Sequence, residues 1–150
     1  MVVLRDMRVE EYPAYLAYFL PDYAAEIGAT FGLDAAAARA RAEAEIQRDL
    51  PQGPETPGQR LLCIDHQGAL AGYLWLRPEA SGAFILDFHI LPALQRRGLA
   101  RKALAALQAE LAAAGGSQIR LRVAPGNARA QAVYAAAGFH VTGLNMAKTF

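Results

Sequence analysis

The sequence predicts an α/β (α+β) domain, built on a mixed, mostly antiparallel sheet of six to seven strands with helices on both faces. Three observations lead there. Apolar runs between Arg60 and Leu91 are joined by short turns, which makes an antiparallel meander. A strand, a helix and a strand then run from Ala83 to Val123, the order of a parallel, right-handed crossover. A second helix and two more strand-like runs close the chain, so sheet and helices must pack as layers.

The elements follow in order. Val2 to Arg5 is a short β-branched strand. Val9 to Phe31 reads as one or two helical pieces, interrupted at Pro21 and Gly28. Asp34 is placed to cap the alanine-rich helix that follows, where Arg39 and Glu43 form an i,i+4 pair. Pro51 to Gln59 is rich in breakers and reads as a loop. "RLLCI", "ALAGYLWLR" and "AFILDFHIL" are the meander, punctuated by "DHQG" and "PEASG". The helix from Gly98 to about Ala114 stops at Gly115-Gly116. "QIRLRV" alternates Ile119, Leu121 and Val123 with Arg120 and Arg122, so one face is apolar. Asn127 caps a second helix that ends at Gly138, and "FHVTGL" and "NMAKTF" are the two closing strands.

At 150 residues the chain is most simply one domain, 1–150, and 54% of it is apolar, enough for a real core. A net charge of +1 argues against a nucleic-acid binder, whose affinity comes from neutralising many phosphates. The single cysteine, Cys63, excludes an internal disulfide and reads as a buried strand residue. "MVVLRDMRVEEY" has neither a long apolar run nor a cleavage-site pattern, and no stretch approaches the roughly 20 apolar residues of a membrane span. A soluble cytoplasmic protein with no membrane partner is the expectation. No His/Cys/Asp cluster has metal-ligand spacing, so no metal is expected.

One stretch carries an electrostatic anomaly. Leu99, Ala103, Leu104, Leu107 and Leu111 form the apolar stripe of a helix, yet Arg96, Arg97, Arg101 and Lys102 crowd its start. A helix N-terminus already carries about half a positive charge, and each base there costs about 0.3–1 kcal/mol. No Ser, Thr, Asp or Asn stands as a cap. A polyanion resolves the conflict: the first helical amides lack intrahelical acceptors, and phosphate is their natural guest. Gly98 and Ala100 let that guest approach the backbone, and arginine supplies forked donors. Neither the GxxxxGK[ST] loop nor the GxGxxG dinucleotide fingerprint is present.

"QRRGLA", Gln95 to Ala100, resembles the Q/R-x-x-G-x-G/A signature of the GCN5-related N-acetyltransferases. "NARAQAVYAAAGF" resembles that family's later N-x-x-A-x-x-x-Y-x-x-x-G-F pattern, at Asn127, Ala130, Tyr134, Gly138 and Phe139. The close "VTGLNMAK" is similar to the family's frequent ending, and the element order agrees over nearly the whole chain. The resemblance implies the acyl-CoA N-acyltransferase fold, with acetyl-CoA as co-substrate and an amine as acceptor, on a small molecule, peptide or protein. It implies that the pyrophosphate rests on Arg96, Arg97, Gly98, Leu99, Ala100 and Arg101. The pantetheine arm is expected along His89, Ile90 and Leu91, with a backbone amide near Leu91 facing the developing oxyanion. It also implies that the parallel strands Phe84–Leu91 and Ile119–Val123 splay apart.

The chemistry needs a proton acceptor and a donor. An amine of pKa near 10.4 is about 0.04 per cent neutral at pH 7, and supplying that form costs about 4.6 kcal/mol. The departing thiolate, whose parent thiol has a pKa near 8.5, is helped by an acid. Tyr134, at the family's motif position, is the acid candidate; its plain alternative is an aromatic core residue. Asp87, a carboxylate in the apolar run "ILDFHIL", is a base candidate, and an ion pair with Arg122 competes with that role. Glu26, in the early helical region, is a base or substrate ligand, or simply a solvated acid. His89, two residues from Asp87, is a candidate relay. Asn127 caps its helix, bonds the pantetheine arm, or does both. Tyr12, Tyr15, Tyr18, Phe19, Tyr23 and Phe31 either line an acceptor pocket or pack the early helices. An acyl-CoA-binding sensor or interaction module of the same fold, without useful catalysis, is the alternative function, and the protein is expected as a monomer or homodimer.

Overall fold

The computed structural model describes residues 1–150. By contact the chain divides into two compact units: Met1–Asp6 with Gly58–Asn145, and Met7–Pro57 with Met146–Phe150.

The first unit is a five-stranded mixed sheet in the order β1 to β5: β1 (Val2–Asp6), β2 (Arg60–His66), β3 (Ala69–Glu79), β4 (Gly82–Ile90) and β5 (Gln118–Leu121). The first three pairings are antiparallel and β4–β5 is parallel. β2 and β3 are central, and their apolar runs Leu61–Ile64 and Ala71–Leu76 are buried without alternation, as strands covered on both faces require. Helix α3 (Leu99–Ala113) is the crossover between β4 and β5. Its stripe of Leu99, Ala103, Leu104 and Leu107 forms one buried cluster with Leu62, Ile64, Leu74, Leu76 and Ile85. Each buried leucine contributes about 1.5–3 kcal/mol, so this stripe fixes the start of α3 against the sheet. Helix α4 (Ala128–Ala136) follows β5, capped by Asn127, whose Oδ1 accepts from the Ala130 amide at 3.1 Å.

The sheet has five strands where the sequence predicts six to seven. "FHVTGL" and "NMAKTF" form no ladder, and β5 ends at Leu121, short of Val123. Alternation states which face of a strand is to be buried; it does not supply a neighbour, and a strand exists only when one is found. Val141, Leu144, Met146 and Phe150 accordingly stand in solvent.

The second unit holds a 3-10 turn at Val9–Glu11, then α1 (Tyr12–Phe31) and α2 (Ala35–Asp49). Neither Pro21 nor Gly28 divides α1, contrary to the sequence expectation. A proline inside a helix costs about 3 kcal/mol, but Tyr15, Phe19, Leu20, Ala24 and Ile27 are all buried along one stripe and outweigh it. Rings of Tyr15, Phe19 and Tyr23 stack successively at 5.6 and 5.3 Å. The helix stops at Gly32, left-handed at φ +66°, whose amide closes on the Gly28 carbonyl. Asp34 caps α2 by accepting from the Ala37 amide at 2.8 Å, and Arg39 meets Glu43 at 2.7 Å. The Tyr23 hydroxyl donates to Glu45, tying α1 to α2; burial, then that carboxylate, pushes the phenol up to about 12.

Gly72 on β3 sits opposite Ile90, and a Cβ there would lie 2.1 Å from the backbone oxygen of His89. Gly72→Ala must therefore move β4 itself. The expected loss is about 1–3 kcal/mol in urea or thermal unfolding. Unchanged stability would show that the two strands stand farther apart.

Candidate functional site

The parallel register of β4 and β5 runs from Gly82–Gln118 to Ile85–Leu121 and stops there, while β4 continues to Ile90. The stop coincides with a bulge. Trp75 opposes Asp87 and Leu76 opposes Ile85, so Leu86 is an extra residue on β4. A bulge bends its strand and adds twist, and here it bends β4 where β5 leaves it. The two strands splay, as the sequence resemblance implies.

The opening becomes a cleft of about 610 Å³. One wall is Phe88, His89 and Ile90 of β4; the opposite wall is α4, through Asn127, Arg129, Ala130, Val133 and Tyr134. The end between them is Leu94, Gln95, Arg96, Gly98, Leu99, Ala100 and Arg101. This loop is positively charged and its backbone is turned at two positions. Arg96 takes φ +62°, a left-handed conformation that costs a non-glycine residue about 1–2 kcal/mol, and Gly98 takes φ +75°. Backbone turned in this way presents its amides as a concave nest. Gly98 is the N-cap of α3 and offers no side chain, so no side-chain acceptor serves the first amides of that helix.

Gln95 braces the corner from both sides. Its Nε2 donates to the Ile90 carbonyl at 2.9 Å, and its Oε1 accepts from Arg129 at 3.1 Å. Gln131 secures the other side, donating to the carbonyls of Ala124 and Pro125 at 3.0 and 2.9 Å. Asn127 gives its oxygen to the helix cap and is also part of the cleft lining.

Tyr134 lies between Phe88 and Phe139, with ring centroids at 6.5 and 5.5 Å. Burial, and then the negative charge of Asp87, pushes its phenol up to about 12. It therefore keeps its proton at neutral pH. The sequence candidates Tyr134 and Asp87 are thus close enough to feel each other, although Asp87 is not itself on the cleft wall.

Among the sequence candidates, His89, Ile90, Gln95, Arg96, Gly98, Leu99, Ala100, Arg101, Asn127, Ala130 and Tyr134 converge on this one cleft. Arg97 is exposed and Leu91 lies outside the lining. The Leu91 amide, expected near the oxyanion, donates instead to the Ala71 carbonyl at 2.8 Å. Glu26 is exposed on α1 in the helical unit, whereas the cleft is built by the sheet unit. Tyr73 and Trp75 are buried, and the Trp75 indole donates to Gln59 at 2.7 Å. Arg120 pairs with Glu79. The sequence reading missed Arg129 and Phe88. Arg129 was findable, since it repeats the anomaly of α3, a base in the first turn of a helix.

A family model described as the acetyltransferase (GNAT) family matches residues 33–139. YycN, an uncharacterized N-acetyltransferase of Bacillus subtilis (strain 168), is 30% identical over 155 residues, covering 98% of this chain and 97% of YycN. The chain belongs to the GNAT acetyltransferase family. The crystal structure of YycN matches this acetyltransferase with a TM-score of 0.89 at 29% identity, over 100% of this chain and 99% of the other. Two more distant structures share the fold. PaiA N-acetyltransferase from Thermoplasma acidophilum, solved with coenzyme A, has a TM-score of 0.72 at 13% identity, covering 97% and 93%. AAC(6')-Iy, solved with the bisubstrate analog CoA-S-monomethyl-acetylneamine, has 0.63 at 18%, covering 100% and 98%. As a GNAT enzyme this acetyltransferase uses a CoA-type co-substrate. No helix is long and apolar enough to cross a membrane.

The Tyr134 shift has a measurable sign. The folded acetyltransferase holds this proton more tightly than the unfolded chain does. The associated stability is fully present below pH 10 and is lost as pH rises toward 12. The tyrosinate absorbance difference between wild type and Tyr134→Phe should emerge near pH 12. A midpoint near 10 would show that Tyr134 is solvated.

Proposed function

We propose that the protein moves an acetyl group from acetyl-CoA to an amine by direct attack of the amine on the thioester. The observation that carries this reading is the capless start of α3, where Arg96 and Arg101 flank a backbone nest opening on a cleft that also holds Tyr134. The fit to a diphosphate is chemical. The corner offers unserved amides, a positive helix end and arginine forks, and the Arg96 strain and the crowded positive charge both need an anion to offset them. PaiA binds coenzyme A on the same fold, and AAC(6')-Iy binds an analog joined to CoA, which supports the same assignment here.

In this reading the amides of Leu99, Ala100 and Arg101, with the Arg96 and Arg101 side chains, hold the pyrophosphate. Arg97 adds long-range positive charge. His89 and Ile90 at the end of β4, beyond its β5 pairing, with Leu91 just after them and the Asn127 amide, hold the pantetheine arm as an added strand would be held. Bound acetyl-CoA supplies the activated acyl group. Tyr134, protonated and part of the cleft lining, donates its phenolic proton to the leaving sulfur. Asp87 accepts the proton of the acceptor ammonium, with His89 as the relay between carboxylate and cleft. Glu26, an exposed acid of the helical unit, serves to draw a cationic acceptor. The family match from residue 33 to 139 runs across both units, which supports residues 1–150 acting as one GNAT domain. The acceptor is an amine on a small molecule, peptide or protein.

Coenzyme A release from acetyl-CoA, followed with a broad panel of amines, tests the reading. Tyr134→Phe should lower turnover about 100-fold while coenzyme A affinity stays unchanged. Unaltered turnover would remove Tyr134 from proton transfer, and binding with no turnover across the panel would leave an acyl-CoA-binding module. Arg96→Ala with Arg101→Ala should weaken coenzyme A by roughly tenfold or more, and the difference should shrink as salt screens it. Equal affinities in calorimetry would place the diphosphate elsewhere.

A further inference from the structure

One face of the sheet is closed beside the cleft. Leu74, Leu76 and Ile85 point to the face that α3 covers, and Val133 and Tyr134 of α4 pack against the same cluster. A ligand held in the cleft is therefore shielded on that side, and an acceptor approaches from the other face. The register names what that other face carries. Trp75 stands opposite Asp87, and Arg77 stands opposite Phe84, which stands opposite Arg120 on β5. Residues two apart on a strand share a face, so Asp87 lies on the same face as the row of Arg77, Phe84 and Arg120, away from α3. All four belong to the sheet unit.

The row is a positively charged clasp. The guanidinium carbons of Arg77 and Arg120 lie 4.8 and 5.2 Å from the centre of the Phe84 ring, one from each neighbouring strand. Glu79 serves both, unequally. It accepts from Arg120 Nε at 2.9 Å and from Arg120 Nη2, whereas Arg77 comes only to 3.7 Å, beyond hydrogen-bond length. Two bases against one acid leave one positive charge in excess, and Arg77 is the guanidinium that Glu79 does not bond. Both arginines are exposed, so a ligand can reach them.

We propose that this clasp binds a carboxylate of the acceptor, and so selects amines that carry one about 7 Å from the nitrogen. The inference rests on the acetyl-transfer reading, with the amine at Asp87. The span follows from β3. Trp75 and Arg77, the partners of Asp87 and Phe84, are two residues apart, and a strand advances about 3.4 Å per residue. The face thus presents a negative group and a positive one at about the length of an extended dipeptide. That is the complement of a zwitterion, its amine toward Asp87 and its carboxylate toward Arg77. A guanidinium takes a carboxylate through two parallel bonds, and the ring beside it restrains its plane. An amine without an anionic group leaves the excess charge of the clasp unmatched.

Coenzyme A release from acetyl-CoA, followed with matched acceptors, is the test. One pair is diglycine and its C-terminal amide. The other is an ω-amino acid with five methylenes and the alkylamine of equal length. kcat/KM should favour the carboxylate member at least roughly tenfold, mainly through KM. Arg77→Gln should bring that ratio toward one, and Arg77→Glu should reverse it in favour of a diamine. An arginine that only braces the sheet would, when replaced, lower both members of a pair alike. Equal kcat/KM within the pairs, with transfer proceeding, overturns the clasp and leaves acetyl transfer standing. A preference that survives Arg77→Gln also overturns it, because the carboxylate is then held elsewhere. No transfer to any amine overturns the acetyl-transfer reading and this inference with it. Arg77 is exposed, and Arg77→Gln decides the matter even if the charge reversal fails to fold.

Discussion

The extra residue that Leu86 inserts into β4 is the constraint on which the site depends. It bends the strand immediately after the last parallel pair, Ile85–Leu121. Had β5 continued alongside, its backbone would have filled the space that the cleft now occupies. Because it does not, the chain after β5 turns outward and places α4 opposite the end of β4. Both walls of the cleft are consequences of one irregularity in a register. Gly72 holds the β3 side of the same region, where only a hydrogen fits beneath the His89 carbonyl.

Electrostatics gives the opening a positive end. The apolar stripe of α3 is buried deeply enough to fix where that helix begins. The positive end of the helix is thereby held at the mouth of the cleft, with a glycine where a capping side chain usually stands. The arginines add to the charge instead of relieving it. Gln95 then joins three elements through one side chain: the loop it belongs to, the end of β4 and Arg129 at the start of α4. This brace keeps the start of α3 and the Tyr134 helix in a fixed relation across the cleft. Tyr134 and Asp87 extend the same logic. A buried phenol beside a carboxylate holds its proton firmly.

Much of this was legible in the residues themselves. The anomaly at Arg96–Lys102, the missing cap and Gly98 marked the positive end of the cleft without coordinates, and the spacing of Asn127, Ala130 and Tyr134 marked the facing helix. Other features were not legible. A proline reads locally as a breaker, and Pro21 stays helical because Phe19, Leu20 and Ala24 are buried around it. The Leu91 amide looked available as an isolated group, but Ala71 of the neighbouring strand takes it. Arg129 carried the same signal as Arg96 and went unread. Its partner Gln95 is distant in sequence, and only folding brings them together.

Local chemistry determined the element types, their caps, the parallel crossover and the excess positive charge at the start of α3, because each depends on neighbours within a turn or two of the chain. Tertiary structure alone decided where the parallel ladder stops, how far β5 extends, and whether the closing segment becomes strand. Those outcomes depend on which backbone edge meets which. Hydrogen bonding between distant segments is not encoded in the alternation of either one.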